Sequence, residues 1–328
     1  MNEEKIFSRI RLYLEMIRFS HTLFALPFAL LAACMAWYLN AYPGMGGSGS
    51  QEEWVLPFRM LDLIGILLAM ITARSAAMGF NRLVDREIDA KNSRTANRHL
   101  PAGTLKVKSV IFFTGIFSLG FIVATCLFLP RNPLPLVFSV PVLGFLFLYS
   151  FMKRYTHFVH FFLGVSLMLA PLAAWVAIRG EILIRAGTAL LAGEGMILGM
   201  QELAPILLST AVLFWVSGFD IIYACLDTDF DRRQGVFSIP GWLGTRNALR
   251  WAAVCHFLVP FPLLVLSVIF PPFGCLWTGG VFVVILLLIY EHWMVNPRDP
   301  VKVNQAFFHV NAVVSLLLLT VGVADMFW

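Results

Sequence analysis

Apolar runs of roughly twenty residues recur along this sequence, about the length a helix needs to cross the hydrocarbon core of a bilayer. They are continuous, as in "AVVSLLLLTVGVADMF" near the C-terminal end. Membrane barrels show alternating segments of about ten residues instead, so strands match poorly. Nine runs fit, at about 20–40, 62–80, 108–128, 134–152, 157–178, 204–226, 247–270, 274–294 and 307–327. Hydrophobic residues make up 59% of the chain and charged residues 13%, against about 25% charged in an ordinary soluble domain. That deficit leaves too little polar surface for a water-facing fold. The expectation is an all-α, polytopic membrane protein with about nine transmembrane helices, forming a single membrane-embedded domain over 1–328.

Basic residues test the span count. With a cytoplasmic N-terminus, alternate connections fall inside. Of the 24 Lys and Arg residues, the inside segments hold Lys5, Arg9, Arg11 and Arg18, the seven between Arg82 and Lys108, Lys153 and Arg154, Arg232, Arg233, Arg246 and Arg250, and Arg298 and Lys302. The outside segments hold only Arg59, Arg131, Arg179 and Arg185, and Arg74 lies within a span. This bias fits the positive-inside rule and puts the N-terminus in the cytoplasm. The net charge of +5 therefore follows membrane topology, and no nucleic-acid partner is expected. The first run is longer than the 7–15 residues or so of a signal-peptide core, so it reads as an uncleaved helix. Among the outside segments, 41–60 carries the flexible stretch "PGMGGSGSQEE". Residues 179–203 read equally as a surface helix or a loop. The five cysteines are scattered through apolar runs with no C-x-x-C pair and no metal spacing.

Two acidic constellations carry the chemistry. In the first, Asn81, Asp85 and Asp89 stand four residues apart. On a helix that spacing stacks them on one face, with neighbouring Cβ atoms about 5–6 Å apart. In the second, Asp220, Asp227 and Asp231 stand at i, i+7 and i+11, again one helical face. Carboxylates and an amide make a hard-oxygen surface of the kind Mg²⁺ shares with substrate phosphates. The pair Asp85/Asp89 recurs as Asp227/Asp231 after 142 residues, which hints at two similar halves facing one site. Both motifs fall on the predicted cytoplasmic rim. Lys91, Arg94, Arg98, Lys153, Arg154, Arg232 and Arg233 surround them and suit a diphosphate. Arg74 lies about two turns deeper than Asn81 on the same face, where a cation calls for an anionic partner. Tyr149 and Tyr223 lie near predicted inner helix ends.

These motifs resemble those of the UbiA superfamily of intramembrane prenyltransferases, and the likeness runs over nearly the whole chain. "NRLVDREIDAKNSRTANRHLPAG" resembles the family's first motif, N-x-x-x-D-x-x-x-D with its trailing R-T-x-x-R-x-L-P-x-G. "DIIYACLDTDFD" resembles the second, and "LYSFMKRYTHF" resembles the segment after span 4 in 4-hydroxybenzoate prenyltransferases. The resemblance implies a nine-helix fold with a central cavity open sideways to lipid. It implies Mg²⁺-dependent transfer of a polyprenyl group from its diphosphate to an aromatic acid, ortho to the phenol, in ubiquinone or menaquinone synthesis at a bacterial inner membrane. It assigns Asn81, Asp85 and Asp89 to one magnesium–diphosphate cluster and Asp220, Asp227 and Asp231 to the other. Asp85, Asp89, Asp227 and Asp231 are the expected catalytic acids. Arg94, Arg98 and Lys153 would contact the diphosphate, with Tyr149 and Tyr223 nearby, and Arg74 would meet the aromatic carboxylate.

There are departures. Phe230 stands where relatives often have a further Asp, Ser150 replaces a common Pro, and "GVFSIP" looks more like a branch that includes dihydroxynaphthoate acceptors. Rival readings are a UbiA-type enzyme that makes haem O, chlorophyll or a lipid ether, a CDP-alcohol transferase, and a transporter. The CDP-alcohol reading lacks its D-G-x-x-A-R arrangement. The transporter reading sits poorly with acids gathered at one rim.

Overall fold

The computed structural model describes residues 11–17, 24–42, 58–193, 199–295, 299, 303 and 306–328. Lys5, Arg9, Arg18, the stretch 43–57, Arg298 and Lys302 lie outside the described residues. Every regular element among the described residues is helical. The helices are α1 (Leu26–Ala41), α2 (Met60–Lys91), α3 (Val107–Thr125), α4 (Leu134–Met152), α5 (Val159–Leu191), α6 (Ala204–Ala224), α7 (Thr228–Gln234), α8 (Ile239–Leu243), α9 (Thr245–Leu258), α10 (Pro260–Ile269), α11 (Cys275–Met294) and α12 (Asn311–Phe327).

Eight helical stretches among the described residues are long and apolar enough to cross a bilayer. The ninth expected span survives as α1, whose 16 residues give about 24 Å of helix at 1.5 Å per residue. Its expected first turn falls at 20–23, outside the described residues. Large apolar side chains such as Phe112, Leu119, Val140, Phe257, Val268 and Phe282 face outward. That arrangement is at home in lipid and would be a liability in water. The protein is an integral membrane protein.

The core is built on α6, which packs against α1, α5, α9 and α10. Trp175, Leu208, Trp215, Phe219 and Trp277 are fully enclosed there. Close approach of α5 and α6 depends on Gly164, where a Cβ would come within 2.6 Å of both the Leu213 carbonyl and Ser217 Oγ. Small residues at such crossings let backbones approach, which is how membrane helices gain packing energy.

Three boundaries differ from the sequence expectation. Residues 179–191 are not a loop, because they continue α5 as helix to Leu191. The expected span 247–270 is two helices, α9 and α10, divided at Pro260, a residue that starts helices readily because it has no N–H to satisfy. The second acidic motif does not ride one continuous helix. Asp220 is on α6, the chain tightens into a 3₁₀ turn at Cys225–Asp227, and Asp231 is on the separate α7.

Candidate active site

The C-terminal ends of α2 and α6 lie beside one cavity of about 300 Å³. It is lined by both acidic motifs (Asn81, Asp85, Asp89; Asp220, Asp227, Asp231), by Arg94, Arg98, Lys153, Tyr149 and Tyr223, and by Arg74. Phe24, Met78, Leu163, Leu167 and Phe219 supply apolar wall. The polar groups and the greasy wall therefore belong to one space. The break at Asp227 leaves all three acids of the second motif facing it.

Three of the rim acids, Asp85, Asp89 and Asp227, each hold a protein cation. Lys153 Nζ lies 2.6 Å from Asp85 Oδ2 and Arg154 Nη1 lies 3.8 Å from Oδ1. Asn81 Nδ2 donates to Asp85 Oδ2 at 3.0 Å. Asp85 is nearly buried, and its Oδ1 has no hydrogen bond among the described residues. Arg98 Nη1 donates to both oxygens of Asp89 at 2.8 Å, and Arg82 stands 3.9 Å away. Across the cavity, Arg94 donates to Asp227 through Nε at 2.9 Å and through Nη2 to the other oxygen. Arg94 Nη1 donates to the Tyr223 hydroxyl at 2.8 Å. Burial alone would lower the Arg94 guanidinium, but Asp227 and Tyr223 outweigh it and hold the group above its ordinary value. Arg94 follows the first motif and grips the second, so it ties the two halves together.

Sequence reasoning missed three supports. His160, buried on α5, donates from Nδ1 to Asp220 Oδ2 at 2.7 Å. Its Nε2 accepts from the Ile239 backbone N–H at 3.4 Å, which fixes that tautomer. Ser238 Oγ donates to Asp231 Oδ2 at 2.6 Å while capping α8 through the Gly241 N–H. Asn92 Nδ2 donates to Asp227 Oδ1 at 2.9 Å. His160 carried a signal: an ionisable residue inside an apolar run is a functional candidate by default. Ser238 and Asn92 carried none, because only the folded chain shows what they touch.

Arg74 is deeper, seven residues and so about 10 Å along α2 from Asn81. It has no carboxylate partner among the described residues, and its Nε is buried without a hydrogen bond. Among the described residues no three acidic, histidine or cysteine side chains converge as a self-contained metal cage. The site instead offers pairs of carboxylates facing a shared space, with cations that can change partners.

Comparison with known proteins agrees with this geometry. A sequence model described as the UbiA prenyltransferase family matches residues 45–313. The 4-hydroxybenzoate octaprenyltransferase of Vibrio parahaemolyticus is 28% identical over 269 residues, covering 81% of this chain and 84% of that protein. The one from Nitrosomonas europaea is 29% identical over 249 residues, covering 76% and 77%. Among solved structures, an apo UbiA homolog from Aeropyrum pernix K1 superposes with a TM-score of 0.75 at 27% identity, covering 93% of this chain and 98% of that one. A UbiA homolog from Archaeoglobus fulgidus bound to GPP and Mg²⁺ shares the fold, with a TM-score of 0.62 at 16% identity and coverage of 96% and 99%. The fold, both motifs and a family match over most of the chain agree: this protein is a prenyltransferase and belongs to the UbiA prenyltransferase family.

Proposed function

We propose that this enzyme transfers a polyprenyl group from its diphosphate to a ring carbon of an aromatic acid of the 4-hydroxybenzoate type, with Mg²⁺, as a step in quinone synthesis. The observation that carries the reading is the vertical order of one cavity. Acids and cations occupy the rim, an arginine with no carboxylate partner among the described residues lies about two turns deeper, and apolar side chains line the wall. A diphosphate suits the rim, a carboxylate suits Arg74, and an isoprenoid tail suits the wall.

The donor set fits Mg²⁺. That ion is usually bound by one or two carboxylates plus substrate phosphate oxygens, without an all-protein cage. Asp85 Oδ1, which accepts no hydrogen bond among the described residues, is a ready ligand atom. Asn81, Asp85 and Asp89 would hold one ion and Asp220, Asp227 and Asp231 the other. When bound, the metal supplies positive charge that stabilises the departing diphosphate. The chain's own residues do the rest. His160, Asn92 and Ser238 keep the second-motif acids aimed into the cavity. Arg94, Arg98 and Lys153, released from their acids, take up phosphate oxygens. Tyr149 and Tyr223 border the same oxygens. Asp85, Asp89, Asp227 and Asp231 are the acids on which catalysis depends. The allylic carbon–oxygen bond breaks, the ring carbon attacks, and the ring proton leaves. Phe24, Leu163, Leu167 and Phe219 keep water from the allylic cation.

The relatives named 4-hydroxybenzoate octaprenyltransferase support the acceptor class. The Archaeoglobus homolog bound to GPP and Mg²⁺ supports the diphosphate rim. The bias of basic residues supports a bacterial inner-membrane enzyme with its N-terminus and acidic rim in the cytoplasm. The testing experiment gives purified protein Mg²⁺ and a long-chain prenyl diphosphate, with 4-hydroxybenzoate and 1,4-dihydroxy-6-naphthoate in parallel. Prenylated 4-hydroxybenzoate is the expected product. Product from the naphthoate alone would keep the chemistry and move the pathway to menaquinone. No product from either, by folded protein, would refute the acceptor class.

A further inference from the structure

A second cavity, of about 200 Å³, opens beside the first, with room for several water-sized groups. Ile88, Lys153, Phe230 and Val236 line both spaces, so these four side chains form the partition. The side cavity adds Lys91, Arg154, Gln234 and Gly235, and among the described residues no acid lines it. Its charge balance is lopsided. Lys153 and Arg154 share the single carboxylate of Asp85, and exposed Lys91 has no carboxylate partner among the described residues. Phe230, set between Asp229 and Asp231, puts a phenyl ring in the wall where a carboxylate would have cancelled that charge. Lys153 is held at the boundary, since its carbonyl accepts from the Phe237 N–H at 2.8 Å while its ammonium reaches Asp85. Three cations with little counter-charge, in a pocket of this size with mixed polar and apolar walls, form an oxyanion receptor.

We propose that this side cavity is a second phosphate-type anion site, which takes up the inorganic diphosphate released from the main cavity on its way to water. The inference rests on the diphosphate reading of the main cavity. The two products of the reaction part company: the prenylated acid stays in lipid, and the diphosphate must leave through the polar rim. Lys153 borders both spaces, so a departing anion need not lose all of its cationic contacts at once. The headgroup of an anionic phospholipid carries the same chemistry and is the other source of such an anion.

The test uses the full-length protein and the double variant Lys91→Glu with Gln234→Glu. Both positions are exposed and line the side cavity but not the main one, so the structure takes Lys91, grouped by sequence with the basic residues around the motifs, out of the transfer site. Binding of radiolabelled inorganic diphosphate should show two classes of site in the parent and one in the variant, the lost class weakening by at least about tenfold, as charge-assisted bonds predict. Inhibition of prenyl transfer by inorganic diphosphate should be mixed towards prenyl diphosphate in the parent and competitive in the variant, with an unchanged KM. The same measurements in bilayer discs of neutral or anionic phospholipid identify the source. If anionic lipid removes the second class in the parent only, the site stands and its occupant is a headgroup. A single class of site with competitive inhibition, identical in parent and variant, overturns the proposal. If the protein transfers no prenyl group at all, the binding isotherm still decides the side cavity separately from the acceptor reading.

Discussion

The rim acids differ in what holds them, and that makes them separable by mutation. Asp85→Ala removes a carboxylate that Asn81, Lys153 and Arg154 all address. Asp227→Ala frees Arg94 and Asn92. Each should lower kcat/KM by at least about 100-fold, the scale of losing one preorganised charge contact at a reacting centre, while the protein still inserts and purifies. Near-parental turnover in either variant would end the two-motif mechanism. Arg74→Ala should act differently, raising KM for the aromatic acid by about tenfold or more, as loss of a charge-assisted hydrogen bond implies. The KM for prenyl diphosphate should stay put; a shift there instead would contradict the role given to Arg74. Spacing made the acids legible, because i, i+4 repetition is a helical property that any sequence displays openly. Their partners were hidden. His160 and Asp220 are 60 positions apart, and Asn92 and Asp227 are 135 apart. Such pairs exist only because α2, α5 and α6 converge.

Between helices, a buried polar chain ties the α6 scaffold to its neighbours. Trp215 Nε1 donates to Asn311 Oδ1 at 2.7 Å, and Asn311 Nδ2 donates to Glu291 Oε1 at 3.1 Å. His256 and His292 meet at 3.0 Å. The chain joins α6, α9, α11 and α12 inside apolar surroundings, where each satisfied group resists displacement. Gly218 on α6 makes room for it, since a Cβ there would come within 2.2 Å of the His256 ring. Gly218→Ala should therefore cost about 1–3 kcal/mol, the usual penalty of overpacking, visible as earlier thermal unfolding in detergent. An unchanged unfolding temperature would mean the ring has another place to go. The short α7 and α8 were not expected, whereas the existence of the long spanning helices was legible from hydropathy. The extension of α5 to Leu191, the division at Pro260 and the break at Asp227 were not. Periodicity reports which face is apolar and is silent on where a helix stops, and the Asp227 turn is supported by side chains from a distant segment.

Across the whole molecule, orientation can be read through two cysteines. Cys126 follows α3 and Cys275 opens α11, and both are exposed. The chain crosses once along α2 from Arg59 to the acidic motif and returns along α3, so Cys126 emerges at the rim opposite the acids. Cys275 starts the helix that runs back toward that motif's side. Cys225 and Cys255 are buried, and Cys34 is partly covered. If the acidic rim faces the cytoplasm, as the distribution of basic residues implies, a membrane-impermeant maleimide should label Cys126 and Cys275 on intact spheroplasts. A cysteine introduced for exposed Gln234 should stay unlabelled until the membrane is opened. The reverse pattern would put the diphosphate rim outside the cell, away from a cytoplasmic supply of prenyl diphosphate. The transfer chemistry would survive that result, since it depends on the cavity alone. The assigned cytoplasmic entry of diphosphate and exit through the Lys91 side cavity would not.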